Sequence, residues 1–152
     1  MTTQGEDLAA IFEREFDRLV REVDSFVDED DLWTVHGQQK NSPGTLTLHL
    51  CGNLLHFVGA ELGDTGFVRD RDGEFSSRMS RQELVAHVVT SRDTVVRVLL
   101  GLPDEVLDGI YPGEPPASMP GVGTRRFLMH LLWHFGWHEG HIYYQRLGAM
   151  SR

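Results

Sequence analysis

The chain has 152 residues, of which 40% are hydrophobic and 24% charged, and its formal net charge is −9. That length and balance fit one globular domain, 1–152, with a core of its own, and exclude a disordered chain. The acidic balance argues against nucleic acid or an anionic membrane as partner, since both select a basic face, and no apolar run reaches the ~20 residues of a membrane span.

Helical spacing dominates from the N-terminus onward. The opening MTTQGEDLAA lacks the basic and apolar regions of a signal peptide. Between Glu6 and Val27 the apolar residues Leu8, Ile11, Phe12, Phe16, Leu19, Val20, Val23, Phe26 and Val27 recur in steps of three and four, which predicts a long amphipathic helix. The acidic, turn-prone stretch DEDDLWTVHGQQKNSPG ends that pattern. TLTLHLCGNLLHFVGAEL is apolar nearly all round and predicts a second, largely buried helix, with Gly63 as its left-handed stop. GDTGFVRDRDGEFSSRM reads as a loop. Ser80 and Glu83 then form a capping box ahead of a third helix, which carries Leu84, Val88, Val95 and Leu99 and runs to about Leu100. A proline-rich connection, GLPDEVLDGIYPGEPPASMPGVG, is long enough to cross or cover one end of the molecule. Thr124 is placed to cap a fourth helix reaching about Leu147. No strand alternation stands out, so the fold class is all-α, a four-helix bundle with one long connection between helices three and four.

The fourth helix carries HLLWHFGWHEGHIYYQR, which contains His130, His134, His138 and His141, half of the chain's eight histidines. Residues four apart on an α-helix lie about 40° apart around the axis and about 6 Å apart along it, so two such imidazoles can reach one metal ion. His130/His134 and His134/His138 have that spacing, and His138/His141 stand three apart. His130 and His138 are about 12 Å apart along the axis, too far to share an ion, so one pair binds and the next ligand comes from another helix. His49 and His56 of the second helix are both available, and with Gly52 and Asn53 they form a small, polar stripe in an apolar helix. Spacing does not choose between them. HEGHI has the wrong spacing for the His-Glu-x-x-His motif of zinc peptidases.

Two segments, NSPGTLTLHLCGNLLHF and HLLWHFGWHEGH, resemble the second-helix and fourth-helix signatures of the DinB/YfiT-like family of small four-helix-bundle metalloproteins. The loop FVRDRDGEF resembles that of an uncharacterised subfamily of this group. The resemblance implies a metal triad of His49, His134 and His138, with zinc or nickel as the divalent ion. It departs from the family pattern at His141, where the family has Gln. Two chemistries follow from the resemblance: an S-transferase or isomerase that uses a low-molecular-weight thiol, or a metal-dependent hydrolase. It also implies a small-molecule substrate and a homodimer. The non-catalytic alternative is a metal-stabilised binding or stress-response module.

Three neutral imidazoles leave a divalent ion with open coordination positions, as in catalytic rather than structural sites. Asn53, His56, His130 and His141 are candidates for orienting the ligands or lining the pocket, and Glu139 is a further candidate that reads more simply as a solvated charge. Arg69, Asp70, Arg71, Asp72 and Glu74 read as an ion-paired loop fixing the crossing of helices two and three, with Arg71 as the candidate for an anionic substrate. His36 and His87 read as ordinary hydrogen-bonded side chains, and Trp133 and Trp137 as core or pocket wall. Cys51, about 200° round the helix from His49, should point away from the metal as a packed hydrophobe. A single cysteine cannot form an internal disulfide, and a reducing cytoplasm is the simple expectation.

Overall fold

The computed structural model describes residues 1–151, and they are all-helical, with an isolated bridge between Ile110 and Gly123 in place of any strand. Helix α1 spans Gln4–Asp24 and is started by a full capping box of Thr3 and Glu6. A 3-10 turn at Glu29–Leu32 follows. Helix α2 spans Pro43–Leu54, with Ser42 as N-cap and Pro43 in the first turn, where its missing N–H is not needed. A π-helical turn, Leu55–Ala60, and a last turn, Glu61–Gly63, carry it on. Helix α3 is the short Arg71–Ser76, α4 is Arg81–Leu100, α5 is Asp104–Asp108 and α6 is Thr124–Met150. None of the helices is long and apolar enough to cross a membrane.

The four longer helices close a ring. α1 packs on α4 and α6, and α2 packs on the same two from the other side. Apolar positions at helical spacing explain this: Phe12, Phe16, Leu19 and Val23 of α1, Leu50 and Leu54 of α2, Leu84, Val88, Val95 and Leu99 of α4, and Phe127, Leu131, Phe135 and Ile142 of α6 are all buried in one core. Phe16 and Phe135 meet edge-to-face with centroids 5.1 Å apart, which ties α1 to α6.

Several expectations are corrected. The helix does not stop at Gly63: Asp64 takes the left-handed conformation, with φ 47°. A Cβ on Gly63 would run into the Val98 side chain, so that glycine serves the approach of α4 instead. Asp tolerates the left-handed region better than most residues. The stretch after it is not all loop, because Asp70 caps Gly73 N–H and starts α3. Gly123, not Thr124, is the N-cap of α6, and the Thr124 hydroxyl is buried inside the first turn. The long connection covers one end of the ring, as its length suggested. Leu107, Tyr111 and Val122 are buried there, and Tyr111 Oη donates to Phe57 O at 2.7 Å.

Two readings of α6 also change. Trp133 and Trp137 are 59% and 57% exposed, so they are not core. Glu139 is not a solvated charge: it is 3% exposed and faces Glu15, itself buried and held by Arg14 and Arg18. Residue 139 is about 100° round the helix from His138, which turns it toward α1. Burial, then the neighbouring Glu15 carboxyl, pushes the Glu139 carboxyl up to about 8. At Glu15 burial also pushes upward, but hydrogen bonds from Glu139 and Arg14 and the charge of Arg18 outweigh it and the carboxyl is lowered. The folded state therefore keeps the Glu139 proton from about pH 4.5 to about 8, and its contribution to stability is lost as pH rises through the upper value. Glu139→Gln, which keeps the shape without the charge, is expected to stabilise the protein by about 1 kcal/mol at pH 9 and to change little at pH 5. Urea unfolding at the two pH values checks this, and equal stability of the two proteins at pH 9 would contradict it.

Candidate metal centre

The second and sixth helices bring three imidazoles to one point. His49 lies in the middle of α2, and His134 and His138 lie one turn apart on α6, which packs on α2. His134 Nε2 is 3.3 Å from His49 Nε2 and 3.1 Å from His138 Nε2. All three ligand atoms fall within 4.8 Å of one another, a group that could hold a metal ion. Nitrogens bound at about 2.1 Å are about 3.4 Å apart on a tetrahedral ion and about 3.0 Å apart at adjacent octahedral positions, so zinc and nickel both match this spacing. The rings stand edge-on to each other, with interplanar angles of 77° for His49–His134 and 87° for His134–His138. That arrangement points lone pairs at a shared centre rather than stacking faces.

Behind His49 stands a group that the sequence reading did not single out as a partner. Glu74 of α3 accepts from His49 Nδ1 at 3.0 Å. With the proton held on Nδ1, the Nε2 lone pair is left for a metal. Arg69 then holds Glu74 with two donors, Nε to Oε1 at 2.6 Å and Nη2 to Oε2 at 2.9 Å. At Glu74 burial raises the carboxyl, but the hydrogen bonds from His49 and Arg69 outweigh it and leave it below the usual carboxylate range. Of the five charges expected to pair here only Arg69 and Glu74 do so among the described residues, while Asp70 caps α3 and Arg71 lies over Phe75, and the paired carboxylate orients a candidate ligand. The one sequence signal for Glu74 was its place among the alternating charges of residues 69–74.

Gly52 explains how Glu74 comes so close. It lies three residues beyond His49 on α2, and a Cβ there would overlap Glu74 Oε1 and sit 2.7 Å from its Cδ. Glu74 is pinned by Arg69 and His49 and has no easy way to yield. Gly52→Ala is expected to push the carboxylate off His49 and weaken metal binding by about tenfold, as loss of a ligand's hydrogen-bond partner does. Competition with a chromogenic chelator measures it, and unchanged affinity would mean that Glu74 does not orient His49.

The other candidates stay at one remove. Asn53 is buried on the same stripe, with Oδ1 lacking a partner. His56 packs on Phe57 with centroids 4.7 Å apart, and His130 stacks on Phe127 at 6.2 Å. His141 has its ring centroid 6.0 Å from that of His138. Arg71 lies over the ring of Phe75, whose centroid is 5.3 Å from that of His49, so Arg71 borders the site through Phe75. His36 pairs with Asp31, and burial lowers His87. Cys51 is buried away from the triad, and burial pushes its thiol up to about 12. Burial, then the neighbouring imidazoles, holds His134 down at about 3 and His138 at about 4. Both rings are neutral, and so able to ligate, at neutral pH.

No protein-family model matches the chain, and no curated protein is significantly similar to it.

Proposed function

We propose that the protein is a divalent-metal-dependent enzyme of the DinB/YfiT-like four-helix-bundle type, acting on a small-molecule substrate. The observation that carries this is the convergence of His49, His134 and His138 Nε2, with Glu74 fixing the tautomer of His49. Its ligand order, one histidine on the second long helix and a His-x-x-x-His pair on the last, is that of the resemblance. When bound, zinc or nickel would supply a Lewis acid with open positions that lowers the pKa of a water or thiol.

The chain's own residues have separable tasks. The three imidazoles bind, Glu74 holds the Nδ1 proton of His49, and Arg69 holds Glu74. Within this type we favour an S-transferase that uses a low-molecular-weight thiol, on the resemblance alone; the hydrolase is the other chemistry it implies. A cytoplasmic setting, where such thiols are reduced, fits a chain with one buried cysteine.

The test begins with metal analysis of the purified protein beside His49→Ala. One equivalent of a divalent ion in the first and none in the second is the expected result. Candidate thiols with an electrophile, and separately ester and amide substrates, are then offered to the loaded protein. Turnover only without thiol would move the reading to the hydrolase. Metal loading without any turnover, together with a large loss of melting temperature on chelation, would favour a metal-stabilised module.

A further inference from the structure

A cavity of about 270 Å³ opens beside His138, bounded by His138, His141 and Gln145 of α6, Leu46 of α2 and residues 39–41. Its wall is built rather than incidental: Gln145 Nε2 donates to Asn41 O at 3.2 Å, which ties the segment before α2 onto α6. Gln145 Oε1 is buried there without a partner. On the side of α3, His49 is backed by Glu74, Arg69 and the ring of Phe75.

The electrostatics of this cavity run against the rest of the molecule. The chain carries 23 acidic and 14 basic residues, yet no carboxylate lines the cavity. It is lined instead by Leu46, amides, imidazoles and Lys40, the chain's only lysine. Lys40 is exposed and makes no ion pair among the described residues. Arg69, the guanidinium nearest the triad, is already neutralised by Glu74. An anion approaching His138 through this cavity therefore meets Lys40 and no carboxylate on its walls, whereas a cation meets the reverse.

We infer that the substrate or co-substrate of the three-histidine site is a small organic anion, with its carboxylate or phosphate held by Lys40 and its reacting group directed to the ion held by His49, His134 and His138. This rests on the proposed metal site and adds the class of molecule that the site takes. Lys40 is then a specificity-determining residue: it selects the anion and takes no part in the chemistry. The amide wall supplies hydrogen bonds to the part of the ligand between its two ends.

Cobalt-loaded protein provides the test without needing turnover. Two thiols of equal length, 3-mercaptopropionate and its neutral amide, are titrated while thiolate-to-cobalt absorption is followed, and metal content is measured in the same samples. The acid is expected to bind about tenfold more tightly than the amide, as a charge-assisted hydrogen bond contributes. Lys40→Ala should bring the two within about twofold, Lys40→Arg should keep the preference, and added salt should narrow it. Full cobalt loading with equal binding of the two thiols overturns the inference and leaves the metal site standing, and so does a preference that survives in Lys40→Ala. Failure to take up cobalt at all removes the three-histidine reading and the inference with it. Lys40 lies on an exposed segment, so neither variant threatens the fold.

Discussion

His134→Ala is expected to abolish stoichiometric binding of a divalent ion, with affinity falling by at least about a hundredfold, or about 2.7 kcal/mol. His134 is the central ligand, because its Nε2 is within 3.3 Å of both of the others. Without it His49 and His138 remain, one on each helix, and the pair one turn apart on α6 is gone. The loss also shows in stability. With metal at a hundred times the wild-type Kd, binding stabilises the folded wild type by about 2.7 kcal/mol and the variant by about 0.4 kcal/mol or less. For a chain of this size that is a difference of about 5–10 °C in melting temperature. Acid should also separate the two proteins when metal is absent. Wild-type His134 is held at about 3 by burial and by neighbouring imidazoles, against 6.5 when free. The unfolded chain therefore binds the proton first, and metal-free wild type loses stability as pH falls from 6.5, at up to about 1.4 kcal/mol per unit for this group. The variant lacks that group, and its stability should fall less steeply over the same range. Stoichiometric metal of unchanged affinity in the variant would place the ion somewhere else.

Glu74→Ala is expected to have the second-largest effect, on both metal affinity and folding. Its carboxylate accepts from His49 and from Arg69, and the three side chains are nearly buried. Removing it leaves the Arg69 guanidinium enclosed without a carboxylate to balance its charge, which costs about 3 kcal/mol or more. It also frees the His49 ring to turn and to move its proton to Nε2, where a metal cannot bind, and metal affinity should fall by about 10–100-fold. Glu74→Gln separates the two effects. An amide oxygen still accepts from Nδ1, so affinity should fall less than in Glu74→Ala, while the uncompensated Arg69 charge remains. Glu74 titrates below its usual 4.5, so its contribution is fully present above that pH and is lost as pH falls through the lower, folded value. Acid unfolding of the wild type should therefore be steeper than that of Glu74→Ala. An alanine variant with wild-type affinity and stability would show that the carboxylate is a bystander.

The chain's periodicity determined the helices and the histidine face. Apolar steps of three and four set α1, α4 and α6, and the capping box at Ser80 placed the start of α4. The four-residue step between His134 and His138 put two imidazoles on one face whatever their surroundings, because an α-helix has a fixed angle per residue. That a histidine of α2 joins them is a contact between segments 85 residues apart, and in the sequence only the resemblance pointed to His49 rather than His56. Glu74 as the partner of His49, Gly52 as the gap that admits it, and Lys40 beside His138 belong to the tertiary structure alone. So does the burial of Glu139, which its spacing left indistinguishable from a surface charge. The physical reason is the same in each: spacing fixes directions around one helix axis, whereas the neighbour met in that direction depends on how α2, α3 and α6 pack, and that is settled by the whole apolar core.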